Sequence, residues 1–365
     1  MAGPIPNPGI LDIAPYVGGE SHAPGQAKVI KLASNEGALG PSPKAVAAYQ
    51  AVADTIHRYP DGSGKALRQA LAKRYGYDPE RIVLGAGSDE LLQMLAKCYA
   101  GPGTEVLYSR HGFLIYPIAA KSVGATPIAA PEKDLKADVD ALLARVNERT
   151  RIVFIANPNN PTGSYLTSRE LAKLHAGLPE HVLLVIDAAY AEYIRLNDYS
   201  NGAEFVESFP NVVMTRTFSK IHALGGIRLG WAYCSANVAD VLNRVRGPFN
   251  VSSPALAAGL AALEDVEFAE KSLHLNEENR AWFARAVTEL GLKVHPSVAN
   301  FVLVDFSVLL GQKADAELAR QHLKSRGILV RQMGAYGLGN CLRVSIGLRE
   351  EMEQVVTALG EWVHG

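Results

Sequence analysis

"NVVMTRTFSKIHALGGIRLGWAYCS", residues 211–235, sets one lysine, Lys220, between two short apolar runs. Thr217 and Ser219 precede it and Arg228 follows eight residues later, company that a solvated lysine does not need. Runs of the same kind recur upstream: "RIVLGAG" from Arg81, "TEVLYS" from Thr104, "TPIAAP" from Thr126, "RIVFIAN" from Arg151 and "VLLVID" from Val182. They are short, apolar throughout and separated by amphipathic segments. That pattern predicts an α/β domain whose mainly parallel sheet is covered on both faces. In such sheets ligands bind beyond the carboxyl ends of the strands. From about Val266 the texture changes to a long polar helix through Leu290, then "FVLVDF", a helix near Asp315 to Arg326, "ILVR", "CLRVSIG" and a last helix. This reads as a smaller α+β domain. The Pro- and Gly-rich first forty residues read as an arm. The expected division is therefore 1–40, 41–265 and 266–365, with part of the arm joining the last.

Composition narrows the function. A chain of 365 residues suits two domains and a sizeable core. Lys and Arg number 36 against 37 Asp and Glu, and no block of five like charges occurs, which argues against nucleic acid or an anionic membrane as partner. Cys98, Cys234 and Cys341 are far apart in apolar runs, so buried thiols are expected and neither a metal set nor a disulfide framework is. The first residues lack a basic stretch followed by an apolar one, and no run of eighteen apolar residues occurs. A soluble, cytoplasmic enzyme acting on small molecules is the expectation.

Three further motifs carry chemistry. "GAGSDELLQMLAKCYA" puts Gly85 and Gly87 between a strand and a helix opening on Ser88, Asp89 and Glu90, with Leu91, Leu92, Leu95 and Cys98 as its buried face. The free N–H groups of such a helix start can bind a phosphate, although the same turn also serves as a plain cap. "ANPNNPTG" cannot extend the strand before it, because Pro158 and Pro161 each remove a donor and restrict the preceding residue. A rigid loop that aims the Asn160 amide at a ligand follows. "VLLVIDAAYAEY" buries Asp187 at a strand end, with Tyr190 three residues later; a carboxylate there needs a cation, a cap or an internal salt bridge. Around Lys220, the hydroxyls of Thr217 and Ser219 and the Arg228 guanidinium suit a phosphorylated cofactor whose aldehyde the lysine captures. Asp187 then has its cation, a protonated pyridine nitrogen.

These residues resemble the fold-type I pyridoxal-phosphate aminotransferases in motif order and approximate spacing. "LASNEGALGPSP", "RYPDGSGKALRQALA" and "ILVRQMGAYGLGNCLRVSIG" extend the resemblance over the whole chain, toward histidinol-phosphate aminotransferases and their aromatic relatives. The resemblance implies pyridoxal 5'-phosphate as cofactor, with Lys220 as its covalent anchor and proton carrier and Asp187 on the ring nitrogen. Asn160 and Tyr190 would bind the ring oxygen, and Phe113 would stack on the ring. Gly87, Ser88, Asp89, Thr217, Ser219 and Arg228 would hold the phosphate. Tyr59 would reach the cofactor of a neighbouring subunit, which implies a homodimer with shared sites. Tyr16, Arg331 and Arg343 would bind substrate, histidinol phosphate in one half-reaction and glutamate or 2-oxoglutarate in the other. The departure is "SKIHALGG", where the family more often has a small or aromatic residue and then Gly after the lysine; His222 and Ala223 leave the shape of that turn open. An aromatic aminotransferase or a decarboxylase of a phosphorylated amino acid would share the scaffold. An effector-binding domain of a transcription regulator would need a DNA-binding module ahead of it, and some forty Pro- and Gly-rich residues do not supply one.

Overall fold

A computed structural model describes residues 3–22 and 29–365. The expected arm is thus described except at 1–2 and 23–28, which lie outside the described residues. All seven apolar runs become strands of one sheet, in the order Ile82–Gly85, Gly230–Cys234, Val212–Thr217, Leu183–Asp187, Thr150–Ala156, Glu105–Ser109 and Thr126–Ala130. Gly230–Cys234 is antiparallel to both of its neighbours. The other pairs are parallel. Both faces are covered, as uniformly apolar strands require: Val153, Ile155, Leu184 and Ile186 pack into one core, and Ile152, Phe154, Leu183 and Val185 into the other. Cross-strand register places Asp187 beside Ala156 and Thr215. The loops that carry Asn160, Asp187 and Lys220 therefore leave the sheet at one edge.

The helix Ser88–Tyr99 lays Leu91, Leu92 and Leu95, all fully buried, onto this sheet. Cys98, expected to be buried, is only partly so, because it lies in the last turn at the rim of that core. Cys234 and Cys341 are buried as expected.

A second sheet has the order Ile30–Leu32, Ile328–Gln332, Cys341–Ser345, Phe301–Asp305 and Lys293–His295. One face packs on the helices Val266–Glu289, Ala316–Ser325 and Arg349–His364 through Val302, Val304, Val330, Leu342 and Val344. Side chains alternate along a strand, so Leu303, Asp305, Cys341 and Arg343 lie on the other face. The arm supplies an edge strand here, Ile30–Leu32, parallel to Ile328–Gln332. Among the described residues no helix is long and apolar enough to cross a membrane.

Candidate active site

A cavity of about 320 Å³ opens beyond the carboxyl ends of the larger sheet and against the Arg343 face of the smaller one. Every residue that the resemblance assigns to cofactor or substrate lines it except Gly87 and Tyr59. Asp187 is at its floor. The carboxylate accepts hydrogen bonds from Tyr116 Oη at 3.0 Å and Thr215 Oγ1 at 3.2 Å. No Lys or Arg among the described residues forms an ion pair with Asp187. Burial pushes its carboxyl up to about 6, and the two hydroxyls pull the other way. It is a buried anion without a cation, so the internal salt bridge open to it in the sequence is not made.

Lys220 follows the strand Val212–Thr217. Its Nζ donates to Ser34 O at 3.3 Å and lies 5.7 Å from the Tyr190 ring centroid. Burial holds the amine down, to about 8, and the charge of Arg343 adds in the same direction. A larger fraction is neutral at physiological pH than for a solvated lysine. Tyr190 Oη accepts from Asn35 Nδ2 at 2.9 Å, and burial raises its hydroxyl to about 12. Asn35 takes a positive φ of 56° and is locked there by Ser345 Oγ, which accepts from its N at 2.8 Å, and by Asn300 Nδ2, which donates to its O at 3.0 Å.

The turn after Lys220 resolves the one departure from the family pattern. Ala223 occupies the left-handed region at φ 52°, where glycine is the residue without strain. Its methyl is tolerated because Gly37 stands opposite: a Cβ on Gly37 would meet Ala223 Cβ at 2.7 Å and Lys220 O at 3.1 Å. His222 packs against Phe218 with ring centroids 5.0 Å apart, and burial lowers its imidazole to about 4, so it is a neutral core residue. Gly37→Ala is expected to destabilise the protein by about 1–3 kcal/mol through overpacking. Adding Ala223→Gly should restore most of that loss, since it removes the opposing methyl. Thermal unfolding of the single and double variants checks this, and a Gly37→Ala protein that melts with the wild type would contradict the close approach.

A phosphate-sized cradle lies at the other end of the cavity. Gly87, at φ 81°, is the N-cap of the helix, and no side chain caps that end. Glu90 reaches back to accept from Ala86 N at 2.6 Å. Arg228, at φ 58°, donates from Nη1 to Gly225 O at 3.0 Å and to Ser219 Oγ at 3.4 Å, and its Nη2 approaches Asp89 Oδ2 at 3.5 Å. A Cβ on Gly87 would fall 2.3 Å from Arg228 Nη2, so this glycine makes room for the guanidinium although it does not line the cavity. Thr217 Oγ1 donates to Ser219 Oγ at 3.0 Å. Phe113 lines the wall, edge-on to Tyr116 at 6.1 Å. The loop after Thr150–Ala156 has cis peptide bonds at Asn157–Pro158 and Asn160–Pro161 and buries Asn160.

Opposite that loop, Arg343 is buried; it donates from Nη1 to Asn160 Oδ1 and from Nη2 to Ala33 O at 2.9 Å. Its Nε has no hydrogen-bond partner. Arg331 is its cross-strand neighbour. Arg331 Nη2 donates to Val17 O at 2.6 Å, and the guanidinium carbon lies 5.7 Å from the Tyr16 ring centroid. Tyr59 stands apart, 82 % exposed and stacked on Phe249 at 4.6 Å. Sequence reasoning missed Asn35, Tyr116 and Thr215. Tyr116 had a readable signal, one helical turn after Phe113; Asn35 had none beyond a small polar residue before Glu-Gly.

The chain matches the family of class I and II aminotransferases over residues 27–359. It is 67 % identical to a histidinol-phosphate aminotransferase of Rhodospirillum centenum over 365 residues, the whole of both chains. It is 60 % identical to that of Paramagnetospirillum magneticum, over 100 % of this chain and 99 % of the other. Among solved structures, the histidinol-phosphate aminotransferase of Sinorhizobium meliloti in complex with pyridoxal-5'-phosphate superposes with a TM-score of 0.85 at 31 % identity, covering 92 % of this chain and 91 % of that one. A lysine, a buried unpaired carboxylate and an anion cradle on the carboxyl edge of a fold-type I sheet, together with full-length identity at this level, place the chain in the histidinol-phosphate aminotransferase family.

Proposed function

We propose that the protein transfers an amino group between L-histidinol phosphate and 2-oxoglutarate, a step of histidine biosynthesis, with pyridoxal 5'-phosphate held in the 320 Å³ cavity. The observation that carries the substrate reading is the cross-strand pair Arg331 and Arg343, which face one cavity and have no carboxylate partner among the described residues. Like charges opposed on a sheet are unfavourable unless an anion lies between them. Histidinol phosphate lacks an α-carboxylate, so its phosphate is its one strong anion, and the same guanidinium forks can accept the carboxylate of glutamate.

The chain's own residues fit the cofactor at three points. Asp187 is an anion awaiting a cation, Gly87 and Arg228 form an anion cradle at a helix start, and Lys220 is a partly neutral amine between them. When bound, pyridoxal phosphate supplies a carbonyl for an amine to condense with and a ring that withdraws electrons from the substrate carbon. With the cofactor bound, Lys220 Nζ would be the amine that holds its carbonyl group and, as a free amine, would carry a proton from the amino-bearing carbon of the substrate. Asp187 would hold a proton on the ring nitrogen. Tyr190 Oη, already accepting from Asn35, directs its own proton toward the ring oxygen, and Asn160, with Oδ1 taken by Arg343, offers its Nδ2 to the same oxygen. Phe113 would cover a ring face. Ser88, Asp89 through its backbone N–H, Thr217, Ser219 and Arg228 would hold the phosphate, and Tyr16 would close over the substrate.

A homodimer with shared sites belongs to the same proposal. It is supported by the exposed Tyr59–Phe249 stack and by Ile56, three residues before Tyr59 and itself 70 % exposed, apolar surface of the kind a partner covers. The division into 1–40, 41–265 and 266–365 is likewise proposed, supported by separate cores under the two sheets.

Arg343→Ala is expected to lower kcat/KM for histidinol phosphate by roughly 10- to 150-fold, from about 1.5–3 kcal/mol per charge-assisted hydrogen bond lost. Glutamate should weaken as well, whereas histidinol without phosphate should be poor for wild type and variant alike. Steady-state kinetics with these three amines checks it. Wild-type kcat/KM ten times higher for phenylalanine or tyrosine than for histidinol phosphate would replace the reading with an aromatic aminotransferase.

A further inference from the structure

We propose that His295, Asp305 and Cys341 form a binding site for one divalent ion of the zinc type, outside the cavity of the transfer reaction. Sheet register assembles it. Asp305 pairs with Cys341, and His295 pairs with Leu303, so the histidine is diagonal to the aspartate on one face of the second sheet. One ligand atom from each lies within 4.8 Å of the others. Imidazole, carboxylate and thiolate are the mixed donors that zinc takes, with a fourth position left for water.

The local hydrogen bonding favours an ion over a simple packed cluster. Asp305 Oδ1 is held by Ser307 N at 2.9 Å and by Asn340 Nδ2 at 2.6 Å. This arrangement fixes the carboxylate and leaves Oδ2 facing His295 Nε2 at 3.6 Å, an ion-pair spacing longer than a close hydrogen bond. Ligand atoms bound tetrahedrally at about 2.0–2.3 Å from zinc sit roughly 3.3–3.8 Å apart, so the histidine–aspartate spacing already fits. With all three ligand atoms within 4.8 Å of one another, the Cys341 thiol has at most about 1 Å to close, within the reach of side-chain rotation. Cys341 and Asp305 are buried, while His295 lines two open clefts through which an ion can enter. Lys293, the cross-strand partner of Asp305, is an opposing charge on the same face, and it is exposed. Bound there, the ion would tie together Lys293–His295, Phe301–Asp305 and Cys341–Ser345, the last of which carries Arg343.

The test uses untagged, cofactor-loaded protein, stripped with a chelator and then titrated with Zn²⁺ against a chromophoric competitor, and separately with Co²⁺. One zinc per chain is expected, together with four-coordinate cobalt d–d bands to the red of the cofactor absorbance. Cys341→Ser and Asp305→Asn should each weaken zinc at least tenfold, and Cys98→Ser should not. Less than one zinc per chain in tenfold excess, or unchanged affinity in both variants, overturns the proposal. If Cys341→Ser loses the bound cofactor and so fails as a fold control, His295→Asn at its partly exposed position takes its place. Wild-type zinc affinity in that variant overturns the proposal equally.

Discussion

Lys220→Ala is expected to abolish turnover and the visible absorbance of bound cofactor, the largest loss any single replacement in this protein should produce. The reason is that no second amine is placed to act for it. Nζ of Lys220 lies 5.7 Å from the Tyr190 ring centroid in the cavity that Asp187 also lines, and the other cations of the cavity, Arg228, Arg331 and Arg343, are guanidiniums that neither condense with a carbonyl nor give up a proton near neutral pH. Borohydride reduction of the loaded wild type should label Lys220 alone. A variant that keeps its absorbance after dialysis, or a label on another lysine, would reassign the anchor. The depressed amine adds a pH signature. Because burial lowers it to about 8, the neutral form accumulates as pH rises through 8, so cofactor capture by the stripped protein should speed up over that range and level off above it. Capture that keeps accelerating to pH 10 would describe an ordinary solvated lysine.

Asp187→Ala should lower kcat by about 10³-fold, equivalent to about 4 kcal/mol in barrier, because it removes the buried anion proposed to keep the ring nitrogen protonated. A loss below tenfold would make Asp187 a structural carboxylate. Asp187→Asn separates the two roles by a second measurement. The folded carboxyl is raised to about 6 from its ordinary 3.8, so between those values the native chain holds more protons than the unfolded one and stability falls as pH rises. At pH 7 the bare carboxylate therefore destabilises the cofactor-free protein. The isosteric amide, which still has Tyr116 and Thr215 beside it, should melt at the same or a higher temperature without cofactor while remaining nearly inactive with it. A marked drop in melting temperature would point to a structural role.

Much of this was legible in the chain because the signals are local. Seven apolar runs bounded by turn residues make strands wherever they pair, and prolines at 158 and 161 end a strand regardless of context. Lys220, Asp187, Tyr190 and the Ser88 helix start each lie within a few residues of a strand end, so a parallel sheet was bound to bring them to one edge. The turn after Lys220 was not legible. Ala223 at a positive φ is read from sequence as an unfavourable choice, and it becomes acceptable only because Gly37, distant in the chain, leaves space for its methyl. Nor was the edge strand Ile30–Leu32, whose three residues are too few to show a period and whose pairing partner lies in the last forty residues of the chain.

By itself, then, the sequence determined the strand–loop–helix units, the placing of Lys220 and Asp187 at strand ends, and the family, since period, turn chemistry and motif spacing are properties of neighbouring residues. Tertiary structure alone decided which groups complete the site: Asn35 on Tyr190, Tyr116 on Asp187, Arg343 on Asn160, and His295 beside Asp305 and Cys341. Each of these contacts joins segments far apart in the chain, and a one-residue slip in register would turn the strand members among them, Asp187, Arg343, His295, Asp305 and Cys341, to the opposite face.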